Sequence, residues 1–244
     1  MLGTWGTVGA ANAYNCIWEY RSDALMPRTA GRPLPTQRLD LLAAMVFATA
    51  LALVSLPTLF LGVNALCGFL GLGALLSYVA VYTPLKSRTW WAMMAGAVPG
   101  AAPPLMGWAA ATGGLAEGGI ALFAILFVWQ LAHFVAIAVF RKDEYRRAGL
   151  TNLPIARGDR AALWHAVTYT VLLVPVSALP FVVGLSGMAY LAVILPLGVA
   201  FVGFAVKGFW SPSLRDWGRR LFFASLVDLT TIFVALGVDG LIFP

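Results

Sequence analysis

Three residues early in the chain have types and a spacing that suit one task. Asn15, Glu19 and Asp23 fall at i, i+4 and i+8. On a helix each such step drifts only about 40° round the axis and climbs about 6 Å, so the three side chains share one face. Their oxygens are what hard cations such as Mg²⁺ want, and Mg²⁺ usually binds through one or two carboxylates plus a substrate's phosphates. Arg28 and Arg32 follow closely and offer forks that match phosphate oxygens. Such residues can also sit solvated and idle. Helical spacing beside two arginines makes that the weaker reading.

A second constellation lies in Gln130, His133, Arg141, Lys142, Asp143 and Glu144. Asp143 and Glu144 repeat the first arrangement, with carboxylates at the end of an apolar run and arginines beyond. Two such clusters on one face can hold two Mg²⁺ ions that grip one diphosphate, neutralising the charge on a departing pyrophosphate. Gln130 and His133 lie inside the apolar run itself, where polar residues are costly and are functional candidates by default. A hydrogen bond to a neighbouring helix accounts for such a histidine about as well as a ligand role does. Lys86 and Arg88 form a third basic pair, flanked by Trp90 and Trp91.

The elements that carry these residues follow from composition. Hydrophobic residues make up 61% of the chain and charged residues 11%. A soluble domain carries about twice that charged fraction, so this is an integral membrane protein. Apolar runs long enough to cross a bilayer occupy Leu2–Tyr20, Leu39–Phe60, Val63–Tyr82, Trp90–Ala111, Gly118–Phe140, Ala162–Val183, Met188–Val206 and Leu221–Ile242. The expectation is an all-α polytopic bundle of about eight spans in a single membrane domain covering residues 1–244. Pro99, Pro103 and Pro104 break the fourth run, and its small residues permit close packing, so it reads as cavity wall.

Charge sets the orientation. All sixteen Lys and Arg residues fall in the first, third, fifth and seventh loops, and the intervening loops hold none. The positive-inside rule puts those four loops in the cytoplasm and both termini outside. The net charge of +6 is therefore a topology signal and calls for no nucleic-acid partner. Cys16 and Cys67 sit in no paired motif and read as small apolar helix residues. Met1 to Tyr14 lacks the basic start of a signal peptide. Asp228 lies well inside the last run and must face the bundle interior, a partner or water.

Read together, these motifs resemble the UbiA-type intramembrane prenyltransferases and, within them, the haem O synthase (protoheme IX farnesyltransferase) branch. The resemblance rests on Asn15-x-x-x-Glu19-x-x-x-Asp23-Ala24-Leu25-Met26-Pro27-Arg28-Thr29-x-x-Arg32-Pro33-Leu34-Pro35 and on Tyr82-Thr83-Pro84-Leu85-Lys86-x-Arg88-Thr89. It continues in Gly96-Ala97-Val98-Pro99-Gly100-x-x-Pro103-Pro104, in Gln130-x-x-His133-Phe134, and in Asp143-Glu144-Tyr145 with Ala148-Gly149 and Leu153-Pro154. The spaced acidic pattern alone marks the superfamily. The Asp-Ala-x-Met-x-Arg-Thr and Tyr-Thr-x-x-Lys runs mark the haem branch.

The resemblance implies a bundle of nine helices round a central cavity, with both acidic motifs at its cytoplasmic mouth, in the cell inner membrane. It implies transfer of the farnesyl group of farnesyl diphosphate to a vinyl group of haem b. In the catalytic set it implies, Asn15, Glu19 and Asp23 hold one Mg²⁺–diphosphate, and Asp143 with Glu144 the other. Arg28, Arg32, Lys86 and Arg88 bind diphosphate oxygens, assisted by Arg141 and Lys142. His133 contacts haem through its iron or a propionate. The implied partners are the lipid bilayer and haem A synthase or terminal-oxidase assembly factors.

The chain also departs from that pattern, with Ala92, Ala132, Asn152 and Asp228 where the family has other residues, and with eight runs instead of nine. The run without a counterpart is the family's first helix. The expectation is insertion with Met1 outside and weak or no activity. Two other functions fit the same motifs: prenylation of a quinone precursor or another tetrapyrrole, and a non-catalytic relative that binds haem or assists oxidase assembly.

Overall fold

A computed structural model describes residues 1–242, and every regular element among them is helical. Eight long helical segments correspond to the eight apolar runs. Six are long and apolar enough to cross a membrane: Leu41–Gly62, Ala65–Leu85, Glu117–Phe140, Asp159–Val182, Met188–Trp210 and Leu214–Ile242. The other two are α1 (Leu2–Asp23) and the fourth run, both rich in Gly and Ala. The protein is a multi-pass membrane protein. It divides into two compact units, the first Met1–Leu115 with Asp143–Asn152, the second Ala116–Lys142 with the chain from Leu153 onward.

In the first unit α1 packs along α2 (Leu41–Gly62). A Cβ at Gly3 would come within 2.7 Å of Leu59, and one at Gly6 within 2.7 Å of Ser55, so the stripe of small residues sets how closely the helices approach. Asp40 caps α2, accepting from the Leu42 and Ala43 amides at 3.0 and 3.2 Å. Asn64 caps α3 (Ala65–Leu76) through Cys67 N and also donates to Ala109 O at 2.9 Å. It thereby ties α3 to the helix that carries the prolines.

After α3 the chain widens into a π-helical turn, Ser77–Tyr82, and closes with α4 (Thr83–Leu85). Such turns are rare and recur at functional sites. Here the Thr83 hydroxyl donates to Tyr78 O at 2.9 Å, five residues back. The next helix, α5 (Ala92–Thr112), contains Pro99, Pro103 and Pro104. Pro99, Gly100 and Pro103 wall a cavity of about 150 Å³ with Thr7, Asn12 and Tyr78, and a larger one of about 590 Å³ lies between the starts of α1 and α3 and the far half of α5.

In the second unit α6 (Glu117–Phe140), α9 (Asp159–Ser177), α11 (Met188–Val206) and α12 (Leu214–Ile242) each pack against two of the others. Ile125, Val135, Ala166, Ile194 and Leu221 fill the interior. Gly218 lets α12 meet α6: a Cβ there would stand 3.1 Å from Ala136 O. Asp239, buried on α12, accepts from the Gly187 and Tyr190 amides at 2.5 and 3.2 Å and so caps the start of α11. Shorter helices complete the chain: α7 (Lys142–Arg147), α8 (Leu153–Ala156) and α10 (Leu179–Val182).

Candidate active site

The last two turns of α1 bring Asn15, Glu19 and Asp23 onto one face. Glu19 and Asp23 are only 6% and 1% exposed. A buried carboxylate needs a partner, and each has one. Lys86 Nζ donates to Glu19 Oε2 at 2.9 Å, and the same oxygen takes Asn15 Nδ2 at 3.1 Å. Arg32 Nη1 donates to Asp23 Oδ2 at 2.7 Å. The Thr29 hydroxyl donates to Asp23 O at 2.8 Å, which folds the first loop back over the end of α1. Thr83 Oγ1 lies 3.3 Å from Asn15 Oδ1.

The wide turn before α4 is what aims Lys86. Its ammonium stands 5.9 Å over the Tyr82 ring. That ring presses against Gly96, where any Cβ would come within 2.7 Å of it. Burial disfavours the Lys86 charge, but Tyr82, Glu19 and Tyr145 around it, with the Glu19 hydrogen bond, outweigh burial and raise its pKa above the ordinary lysine value. Arg32 behaves alike: burial opposes its charge, and the bond and charge of Asp23 raise its pKa. Both cations therefore stay charged throughout the physiological range.

The remaining candidates are placed differently. Arg28 and Arg88 are exposed and pair with no described residue. Asp143, on α7, is exposed and meets Arg146 at 3.4 Å, while Glu144 beside it is half-buried. Lys142 pairs with Asp159 at 2.6 Å. The Arg141 guanidinium lies 5.0 Å over the Phe140 ring. Gln130 is buried and donates to Leu126 O of its own helix at 3.1 Å. His133 Nδ1 is 2.7 Å from Ser225 Oγ, with its ring stacked 4.6 Å from Trp129.

Four residues gain an importance that their sequence context does not announce: Thr29, Thr83, Ser225 and Tyr145. Thr29, Thr83 and Tyr145 stand inside the motifs that carry the resemblance, yet the spacing of Thr29 from Asp23 and of Thr83 from Asn15 carries no periodic signal. Tyr145 packs against Met26, Ala148 and Leu150 and adds to the field at Lys86, which brings the segment after Asp143 to the first acidic face. Asn15, Glu19 and Asp23 offer oxygens only, a donor set that suits a hard cation. Among the described residues no three His, Cys, Asp or Glu side chains cluster for a metal, so this set is two carboxylates and an amide.

A sequence profile described as the UbiA prenyltransferase family matches residues 1–227. The chain belongs to that family. Protoheme IX farnesyltransferase of Myxococcus xanthus is 53% identical over 239 residues, a match that covers 98% of this chain and 81% of that protein. The protein of the same name from Sorangium cellulosum is 48% identical, with 98% and 86% covered. Among solved structures, one of digeranylgeranylglyceryl phosphate synthase superposes with a TM-score of 0.82 at 18% identity, covering 98% of this chain and 83% of that one. A UbiA homolog from Archaeoglobus fulgidus bound to GPP and Mg²⁺ gives 0.67 at 20% identity, with 97% and 86% covered. These likenesses establish the family's all-helical fold.

Proposed function

We propose that this UbiA-family enzyme transfers the farnesyl group of farnesyl diphosphate to a vinyl group of haem b, giving haem O and pyrophosphate. The observation that carries the proposal is the buried Asn15–Glu19–Asp23 face with Lys86 and Arg32 upon it, in a chain 53% identical to a protein named protoheme IX farnesyltransferase. In this reading the C1–O bond of the prenyl diphosphate breaks, and the allylic carbon bonds to the vinyl terminus. Water then captures the cation left beside the porphyrin.

The chain's own residues hold the diphosphate and absorb its growing charge. Lys86 and Arg32 turn from Glu19 and Asp23 to phosphate oxygens as the substrate arrives, and exposed Arg28 and Arg88 reach it from outside. Asn15, Glu19 and Asp23 would hold one Mg²⁺ and Asp143 with Glu144 another, and the metal supplies Lewis-acid neutralisation of the leaving diphosphate. Arg141 and Lys142 assist at the second cluster. The apolar cavities along α1, from Asn12 back to Leu2, suit a prenyl tail that runs from the acidic end. His133 meets the haem. The family match across residues 1–227 supports a single prenyltransferase domain. The sixteen basic residues in four loops support an inner-membrane protein with its active-site mouth in the cytoplasm. Haem A synthase or oxidase assembly factors are the partners that would receive the product.

The test is chromatography and mass spectrometry of pigment from cells with and without the protein. Conversion of haem b, farnesyl diphosphate and Mg²⁺ to haem O by purified protein is its counterpart in vitro. A prenylated quinone precursor in place of haem O changes the acceptor. No product from any acceptor overturns the enzymatic reading.

A further inference from the structure

The second unit contains a hydrogen-bond chain whose proton positions follow from heavy-atom distances. Ser225 Oγ lies 2.6 Å from Phe222 O, one turn back on α12. Two oxygens stand that close only with a hydrogen between them, and a carbonyl has none to give. The single Ser225 proton is therefore spent on Phe222 O. Ser225 Oγ also lies 2.7 Å from His133 Nδ1. With the hydroxyl proton committed, the proton of this second bond belongs to the imidazole, so His133 donates Nδ1–H to Ser225. In the neutral ring Nε2 then carries the free lone pair. No described residue bonds to Nε2, and His133 is only half-buried.

The ring is fixed as well as its tautomer. Trp129 stacks on it at 4.6 Å with 21° between planes, and Phe222 flanks it at 4.7 Å. Trp129 in turn donates Nε1–H to Ser225 O at 2.6 Å, so Ser225 anchors both the imidazole and the indole beside it. Metal-ligating histidines commonly donate the other ring N–H to an oxygen, which sets the tautomer and strengthens the ligating nitrogen. The only other histidine, His165, faces a Tyr169 hydroxyl at 3.1 Å that can donate or accept.

We propose that Ser225 is a positioning residue that holds His133 as the Nδ1–H tautomer, so that Nε2 binds the iron of the haem substrate. The proposal rests on the reading of haem as acceptor and names the atom by which the chain takes hold of it.

The experiment is resonance Raman spectroscopy of ferrous haem b bound to the purified full chain, with haem affinity measured alongside. The intact protein should show an iron–histidine stretch that His133→Ala removes and His165→Ala keeps. Ser225→Ala should move the stretch to lower frequency and weaken haem binding by about 10–100-fold, while farnesyl diphosphate binding stays unchanged. Ser225→Thr, which keeps the hydroxyl, should restore both. An iron–histidine stretch that survives His133→Ala overturns the iron contact itself. Loss with His133→Ala but an unchanged spectrum in Ser225→Ala overturns the role of Ser225 and leaves the haem reading standing.

Discussion

Lys86 Nζ and Glu19 Oε2 stand 2.9 Å apart across 67 residues of chain, and the glutamate is almost fully enclosed. The oxygen that suits a cation thus already has one, covalently tethered. In the proposed reaction a metal at Glu19 would compete with the ammonium, and a diphosphate would offer the ammonium other oxygens.

Lys86→Met should therefore separate two binding events. Mg²⁺ alone should bind more tightly, because Glu19 is released, while a non-hydrolysable prenyl diphosphate should bind more weakly. Isothermal titration of each ligand reads both. Unchanged Mg²⁺ affinity would show that the ammonium does not compete. The variant should also lose about 3 kcal/mol of stability, at the low end for a broken buried pair, since Lys86 keeps 23% side-chain exposure.

The pH dependence of that pair has a definite sign. Lys86 has a raised pKa in the folded chain, so its contribution is complete below the ordinary value of 10.5 and is lost only as pH climbs through the folded one. The difference in melting temperature between wild type and Lys86→Met should hold constant from about pH 7 to 10. A difference that shrinks across that window would mean the ammonium titrates there.

Asp23→Asn and Asp143→Asn should both abolish transfer at limiting Mg²⁺, with different effects on stability. Asp23 is buried against Arg32 at 2.7 Å, so its loss lowers the melting temperature. Asp143 has 79% side-chain exposure and its loss leaves melting unchanged. Near-normal turnover in both variants removes the two-cluster mechanism.

On α12, Asp228 Oδ2 is buried without a hydrogen-bond partner among the described residues. Replacing it with leucine removes an unsatisfied polar group, which should stabilise the chain by about 1–3 kcal/mol. Thermal denaturation in detergent measures this. A loss of stability would mean that the carboxyl has a partner in the membrane-embedded protein.

The helices were legible because apolar runs of bilayer length announce themselves. Asn15, Glu19 and Asp23 were legible because the helical period puts them on one face. The π-helical turn at Ser77–Tyr82 left no such trace, since bonding five residues back does not alter hydropathy. The start of α12 at Leu214 was hidden too, because Arg215, Asp216, Arg219 and Arg220 make a helical turn look like loop. Asp143 and Asp23 read alike in sequence, yet one is exposed and the other enclosed. That difference comes from the first loop folding back through Thr29 and Arg32, contacts that no local pattern encodes. Ser225 was invisible for the same reason: its meaning lies in a histidine on another helix.

The glycine stripe on α1 bears on how the protein is made. Gly3, Gly6 and Gly9 seat against Leu59, Ser55 and Leu51, and α1 is not among the six segments apolar enough to cross a membrane by themselves. Its packing against α2 therefore contributes to holding it in the bilayer. A helix of such modest hydropathy should enter lipid most readily together with the partner its glycines fit. Enlarging Gly6 should loosen that pairing, so quality-control proteases, more than any assay of the finished enzyme, would register the change.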